Sequence, residues 1–125
     1  MPKVTWKHLR GRSSYSPVSF NTFVSEEKYT ARMLKEDLEE AGITVNSIGV
    51  DDLNLSPEEF GEVYRRISEP KSYEFSCVFE DKPFTVGIDE RWQSGEGSRM
   101  IFEADVLLLR YLMIALGVSE DECTY

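Results

Sequence analysis

Carboxylates are the commonest chemistry-bearing groups in this chain, and several come in adjacent pairs: Asp51–Asp52, Glu58–Glu59, Glu80–Asp81 and Asp89–Glu90. General acid–base catalysis needs two titratable groups in environments different enough to push their pKa values apart. Neighbours at a turn or at a helix start share one environment, where they are solvated or stabilise the helix dipole. A structural reading is therefore the stronger one for each pair. Glu80-Asp81-Lys82 also has the acid-x-Lys form that a metal nuclease uses at a strand end. It falls where a hairpin must turn, just before Pro83, and no upstream Asp stands at a neighbouring strand end, so so short a pattern carries little weight.

His8 is the only histidine, which limits any metal site to one imidazole plus carboxylates. It shares a strand face with Val4 and Trp6, the setting of a structural imidazole. Cys77 shares the face of Tyr73, Phe75 and Phe79 and reads as an inert core thiol. Cys77 and Cys123 match no zinc or redox spacing, and a reducing context argues against a disulfide between them. Gly95-Glu96-Gly97 resembles a phosphate loop only in its glycines: a glutamate occupies the middle and a strand follows instead of a helix. It reads as a mobile loop. No catalytic residue, metal site or cofactor is expected.

Three features point to recognition instead. Arg10, Arg12 and Tyr15, with Ser13 and Ser14 between them, would give a turn able to hold a phosphate or nucleotide. The competing reading is a hairpin tip with solvated charges. Trp92, between Arg91 and Gln93, is either an interface anchor or a lid folded back on the core. Arg110, inside an apolar helix, must reach solvent or find an acidic partner, either within the chain or across a homodimer.

These groups must be positioned by regular elements, and apolar periodicity predicts them. Val4, Trp6 and His8, then Val18, Phe20, Thr22 and Val24, alternate as two strands of an N-terminal hairpin, with Gly11 to Pro17 as its turn. Ser25 is the expected N-cap of a helix to Ala41, with Ala31, Leu34, Leu38 and Ala41 as its inner stripe and Gly42 as its stop. Ile43 and Val45 begin a third strand whose alternation slips at Ser47, predicting a bulge or an end. Asp51 to Leu55 reads as a loop. Ser56-Pro57-Glu58-Glu59 is a capping box with proline at the first helical position, followed by Phe60, Val63, Tyr64 and Ile67 on one face. Tyr73 to Phe79 and Phe84 to Ile88 form a hairpin with one oily face. Arg99 to Glu103 is a short strand. Asp105 to Leu116 is a last helix, apolar almost all round and so expected at the centre of the core.

The order ββ-α-β-α-β-β-β-α predicts one α+β domain over 1–125: a mixed, mostly antiparallel sheet of about five to six strands with helices packed on one face. Residues 119–125 form an acidic tail. At 125 residues the chain is long enough to bury a core unaided. No apolar stretch is long enough to span a bilayer and no signal peptide is evident, which fits a cytoplasmic protein of a bacterium or phage.

The net charge is -9, and it is unevenly placed. Residues 1–24 contain Lys3, Lys7, Arg10 and Arg12 and no acid; all 23 acidic residues follow. Such a body repels long nucleic acid and anionic membrane and attracts a basic protein. The expected function is a non-enzymatic inhibitor or immunity-type protein that neutralises a basic partner such as a toxin, nuclease or defence protein. The expected contact residues are Glu36, Glu39, Glu40, Glu58, Glu59 and Glu62 on the two amphipathic helices, with Asp89, Glu90, Trp92 and Glu96 as a second patch. The alternatives are a dimeric secretion chaperone or adaptor, and a small phosphate-ligand binder using Arg10, Arg12 and Tyr15.

Overall fold

Strict alternation in the middle of the chain builds the centre of the sheet. In β5 (Ser72–Phe79) and β6 (Lys82–Asp89), Tyr73, Phe75 and Cys77 stand opposite Ile88, Val86 and Phe84, and all six are buried. Glu80 and Asp81 join the strands with φ of 49° and 65°. Two successive residues with positive φ make a turn whose twist matches the strands it joins, so this acid pair is an exposed hairpin tip. The computed structural model describes residues 6–13, 18–67, 69–91 and 97–116.

Around that hairpin a seven-stranded sheet forms in the order β1-β2-β7-β6-β5-β3-β4, with every pairing antiparallel. The remaining strands are β1 (Lys7–Ser13), β2 (Val18–Ser25), β3 (Thr44–Val50), β4 (Leu53–Leu55) and β7 (Ser98–Asp105). The helices are α1 (Ala31–Glu40), α2 (Pro57–Arg66) and α3 (Val106–Ala115). α1 packs on β3 and β6, α2 on β3 and β4, and α3 on β7. The expected α+β class holds. The strand count rises by one because residues 53–55, read as loop, turn back at Asp51 (φ 53°) and pair with β3. The slip at Ser47 is a bulge between Val45 and Ser47.

Local boundaries move where tertiary bonds outweigh local propensity. Ser25 does not cap α1. It is the buried last residue of β2, and its hydroxyl accepts from the Glu27 N–H at 3.1 Å. The cap is Thr30, whose hydroxyl accepts from the Met33 N–H. Ser56 does cap α2, accepting from the Glu59 N–H at 3.2 Å, and Gly42 takes its expected positive φ of 82° after α1. β1 begins at Lys7 and continues to Ser13, so Arg10 and Arg12 lie in a strand and not in a turn. β2 pairs along its whole length with β7, and the basic hairpin is therefore continuous with the acidic body.

α3 is not the buried centre that its composition suggests. Leu108, Leu112, Met113 and Leu116 join the core, but Ile114 is 66% exposed and Tyr111 39%. α1 and α2 already cover the β3–β6 region, which leaves α3 to dock one side only, beside β7. The Tyr111 ring stacks on Phe79 with centroids 4.5 Å apart, and its hydroxyl donates to the Ala41 carbonyl.

The helix-covered face buries several acidic hydroxyls and a thiol. Burial, and then the hydrogen bond to Asp37, hold Tyr29 far above the ordinary tyrosine range. Burial and the bond to Glu90 push Tyr64 up to about 12, and burial alone pushes Cys77 up to about 12. Each folded-state pKa lies above its unfolded value, so the fold favours the protonated form. The resulting stability is complete below the unfolded value and is lost as pH rises through the folded one. Urea midpoints followed by circular dichroism should therefore fall steeply between about pH 10 and 12. A flat profile over that window would contradict the assignment.

Candidate functional site

The helix acids are on the surface, as their polar stripe requires: Glu36, Glu39, Glu40, Glu58, Glu59 and Glu62 are all exposed. They do not form a purely anionic face. Arg32 pairs with Glu36 at 3.6 Å and Lys35 with Glu39 at 2.5 Å, each one helical turn apart. The Glu59 carboxylate accepts from the Ser56 hydroxyl at 3.1 Å, while Arg65 and Arg66 close the last turn of α2. A groove of about 230 Å³ between the helices is lined by Arg32, Lys35, Glu36, Phe60, Tyr64 and Arg65. Cations interleave with the acids because i,i+4 pairing and dipole complementarity place them there.

The second expected patch separates into unlike parts. Glu90 is 6% exposed and is a structural carboxylate, not a contact residue. Its Oε2 accepts from the Ala31 N–H at 2.8 Å and from the Tyr64 hydroxyl at 2.6 Å, and its Oε1 from the Lys71 N–H at 3.3 Å. An anion at the first N–H of α1 satisfies a helix donor that would otherwise be orphaned. Asp89 points to the other side of β6. It accepts from Arg99 Nε at 2.6 Å and from the Ser72 hydroxyl. Trp92, Glu96 and Tyr15 lie outside the described residues, as do the side chains of Arg10 and Arg12. Gly97, expected in a mobile loop, is buried against the end of β2.

The strand register identifies a surface that the sequence reading did not single out. Residues alternating with the core positions of β3, β5, β6 and β7 face away from α1 and α2. They line a groove of about 800 Å³ that includes Ser47, Gly49, Asp51, Ser72, Glu74, Ser76, Gly87 and Ile101. A second groove of about 560 Å³ continues past Ser76 to Val78, Pro83, Thr85 and Glu103. The floor is short-chained, and four acids stand on or beside it. Asp51 meets Lys71 at 3.4 Å and Asp89 is held by Arg99, but Glu74 and Glu103 are exposed and make no ion pair or hydrogen bond among the described residues. The signal for both was present in the alternation, Glu74 between Tyr73 and Phe75 and Glu103 between Phe102 and Ala104. Alternation gives the phase of a strand. It does not say which sheet face the helices leave open.

Chemically, this surface offers carboxylates, hydroxyls and bare backbone, a set suited to binding cations and hydrogen-bond donors. Among the described residues, no three His, Cys, Asp or Glu side chains gather as metal ligands. No helix of the described residues is long and apolar enough to cross a membrane. Comparison of the chain with known protein families, curated proteins and solved structures finds no match.

Proposed function

We propose that this chain is a non-enzymatic binding protein of the inhibitor or immunity type, acting in the cytoplasm, that captures a basic protein on the open face of its sheet. One observation carries the reading: Glu74 and Glu103 stand exposed, with no ion pair or hydrogen bond among the described residues, beside grooves on a sheet face that α1 and α2 leave uncovered. Carboxylates held on a rigid sheet need little reorganisation on binding, and the net charge of -9 steers a cationic partner toward them. The helix acids Glu36, Glu39, Glu40, Glu58, Glu59 and Glu62 add to the long-range field. Their interleaved cations make them the weaker contact surface. Arg10 and Arg12 belong to β1, and the phosphate-ligand reading rests on their side chains and on Tyr15, which lie outside the described residues.

The test compares the wild-type chain with Glu74→Lys/Glu103→Lys and with Glu39→Lys/Glu40→Lys as baits in a native lysate at low salt. The sheet-face pair should lower recovery of basic proteins by about tenfold, and the helix pair by about twofold. Equal recovery by all three baits would overturn the proposal. A dimeric secretion chaperone or adaptor is the second reading, favoured by the exposed Tyr111 and Ile114 on α3. Sedimentation as a monomer at micromolar concentration would remove it.

A further inference from the structure

Glu74 sits in a row of residues paired across the sheet: Asn54, Gly49, Glu74, Gly87, Ile101 and Thr22 are successive partners on β4, β3, β5, β6, β7 and β2. A glycine therefore flanks the carboxylate on each side, within the open groove. Neither glycine is required by the fold. Neither has a left-handed φ, and a Cβ added at Gly49 would come no nearer than 3.7 Å to its surroundings, or at Gly87 no nearer than 3.8 Å. Those are ordinary van der Waals contacts. A glycine inside a strand weakens it, and one that packing does not demand marks a place where another group approaches the backbone closely.

The two glycine strands lie two inter-strand spacings apart, about 10 Å, with Glu74 midway between them. The carboxylate thus rises from a floor of bare peptide planes. Among the described residues, Lys71 in the lining of the groove is engaged by Asp51, and Arg99 on β7 by Asp89.

We propose that this slot receives an arginine side chain of the partner, with the guanidinium lying over the peptide planes beside Gly49 and Gly87 and donating two N–H groups to the Glu74 carboxylate. The inference rests on the basic-partner reading above and deepens it. Arginine fits where lysine does not, because the guanidinium is planar, weakly hydrated and shaped to engage a carboxylate through two parallel hydrogen bonds. An ammonium is a compact, strongly hydrated point charge, and the missing Cβ atoms give it no advantage.

The experiment titrates the full-length ¹⁵N-labelled chain with hexa-arginine and, at matched ionic strength, with hexa-lysine. Hexa-arginine should shift the amides of Gly49, Glu74 and Gly87 most and bind about tenfold tighter than hexa-lysine. Glu74→Gln and Gly87→Ala should each weaken hexa-arginine binding by about fivefold. Gly87→Ala should leave the melting temperature unchanged or raise it by up to about 5 °C, because the new methyl has room. That combination, lost binding with retained stability, is one that a purely structural glycine would not show. Equal binding of both peptides at these residues overturns the arginine slot and leaves the basic-partner reading standing. Shifts centred on Glu36, Glu39 and Glu40 overturn the slot as well. No binding of either peptide removes both.

Discussion

Replacing Glu90 with alanine is expected to lower the unfolding free energy by about 3 kcal/mol, more than any substitution of a surface acid. Glu90 follows β6 directly, yet its carboxylate serves three other parts of the chain: the first N–H of α1 at Ala31, the Tyr64 hydroxyl on α2 and the Lys71 N–H ahead of β5. Its backbone is held too, with the N–H donating to the Lys71 carbonyl at 3.1 Å and the carbonyl 3.1 Å from the Ser98 hydroxyl. Removing the side chain leaves several polar groups facing a cavity, and each buried donor left unsatisfied carries its own desolvation cost. Glu90→Gln is the sharper variant. It keeps the shape, but its amide NH₂ must face either the Ala31 N–H or the Lys71 N–H, so about half of the loss should remain. Urea unfolding of both variants checks the order. A loss below about 0.5 kcal/mol for the alanine variant, the range of an ordinary surface site, would contradict the role.

The same residue shows what the sequence could and could not disclose. The strand alternations and the capping box at Ser56 are local patterns, and the structure follows them. So did the slip at Ser47, which a bulge accounts for. The Asp89–Glu90 pair carried no such signal. Alternation puts Asp89 and Glu90 on opposite sides of their strand, but that one would bond Arg99 and the other cap α1 depends on contacts between residues up to 59 positions apart. The misplaced start of α1 has the same cause. Ser25 is a good cap by type, yet pairing with Ser98 at the end of the β2–β7 ladder keeps it in the strand, and Thr30 takes the cap. For α3, composition indicates how much apolar surface needs cover, whereas the sheet determines how much cover it gets. The open face was the largest omission. Glu74 and Glu103 were legible as polar-phase residues, but only the packing of α1 and α2 on the opposite face turns polar phase into a candidate site.

Gly97→Ala is expected to be as damaging as Gly87→Ala is benign, and the contrast separates glycines that the fold needs from those that it merely permits. A Cβ on Gly97 would lie 2.1 Å from the Ser25 carbonyl oxygen, 3.2 Å from its carbonyl carbon and 3.3 Å from Glu26 Cα. All three are backbone atoms, so no rotamer change relieves the overlap; one of the two segments has to move. The segments are tied at this point. Ser25 and Ser98 form the last rung of the β2–β7 ladder, and the buried Ser98 hydroxyl accepts from the Tyr29 N–H at 2.9 Å. Displacing either one strains the junction between the N-terminal hairpin and the rest of the sheet, and overpacking of this kind costs about 3 kcal/mol. Hydrogen exchange on the Gly97→Ala chain should show β1 and β2 losing protection first, while β5 and β6 keep theirs until global unfolding. Uniform loss of protection across all strands would mean that the hairpin is not a separately yielding edge of the sheet. In that case the arginine-bearing strand and the acidic groove open and close as one unit.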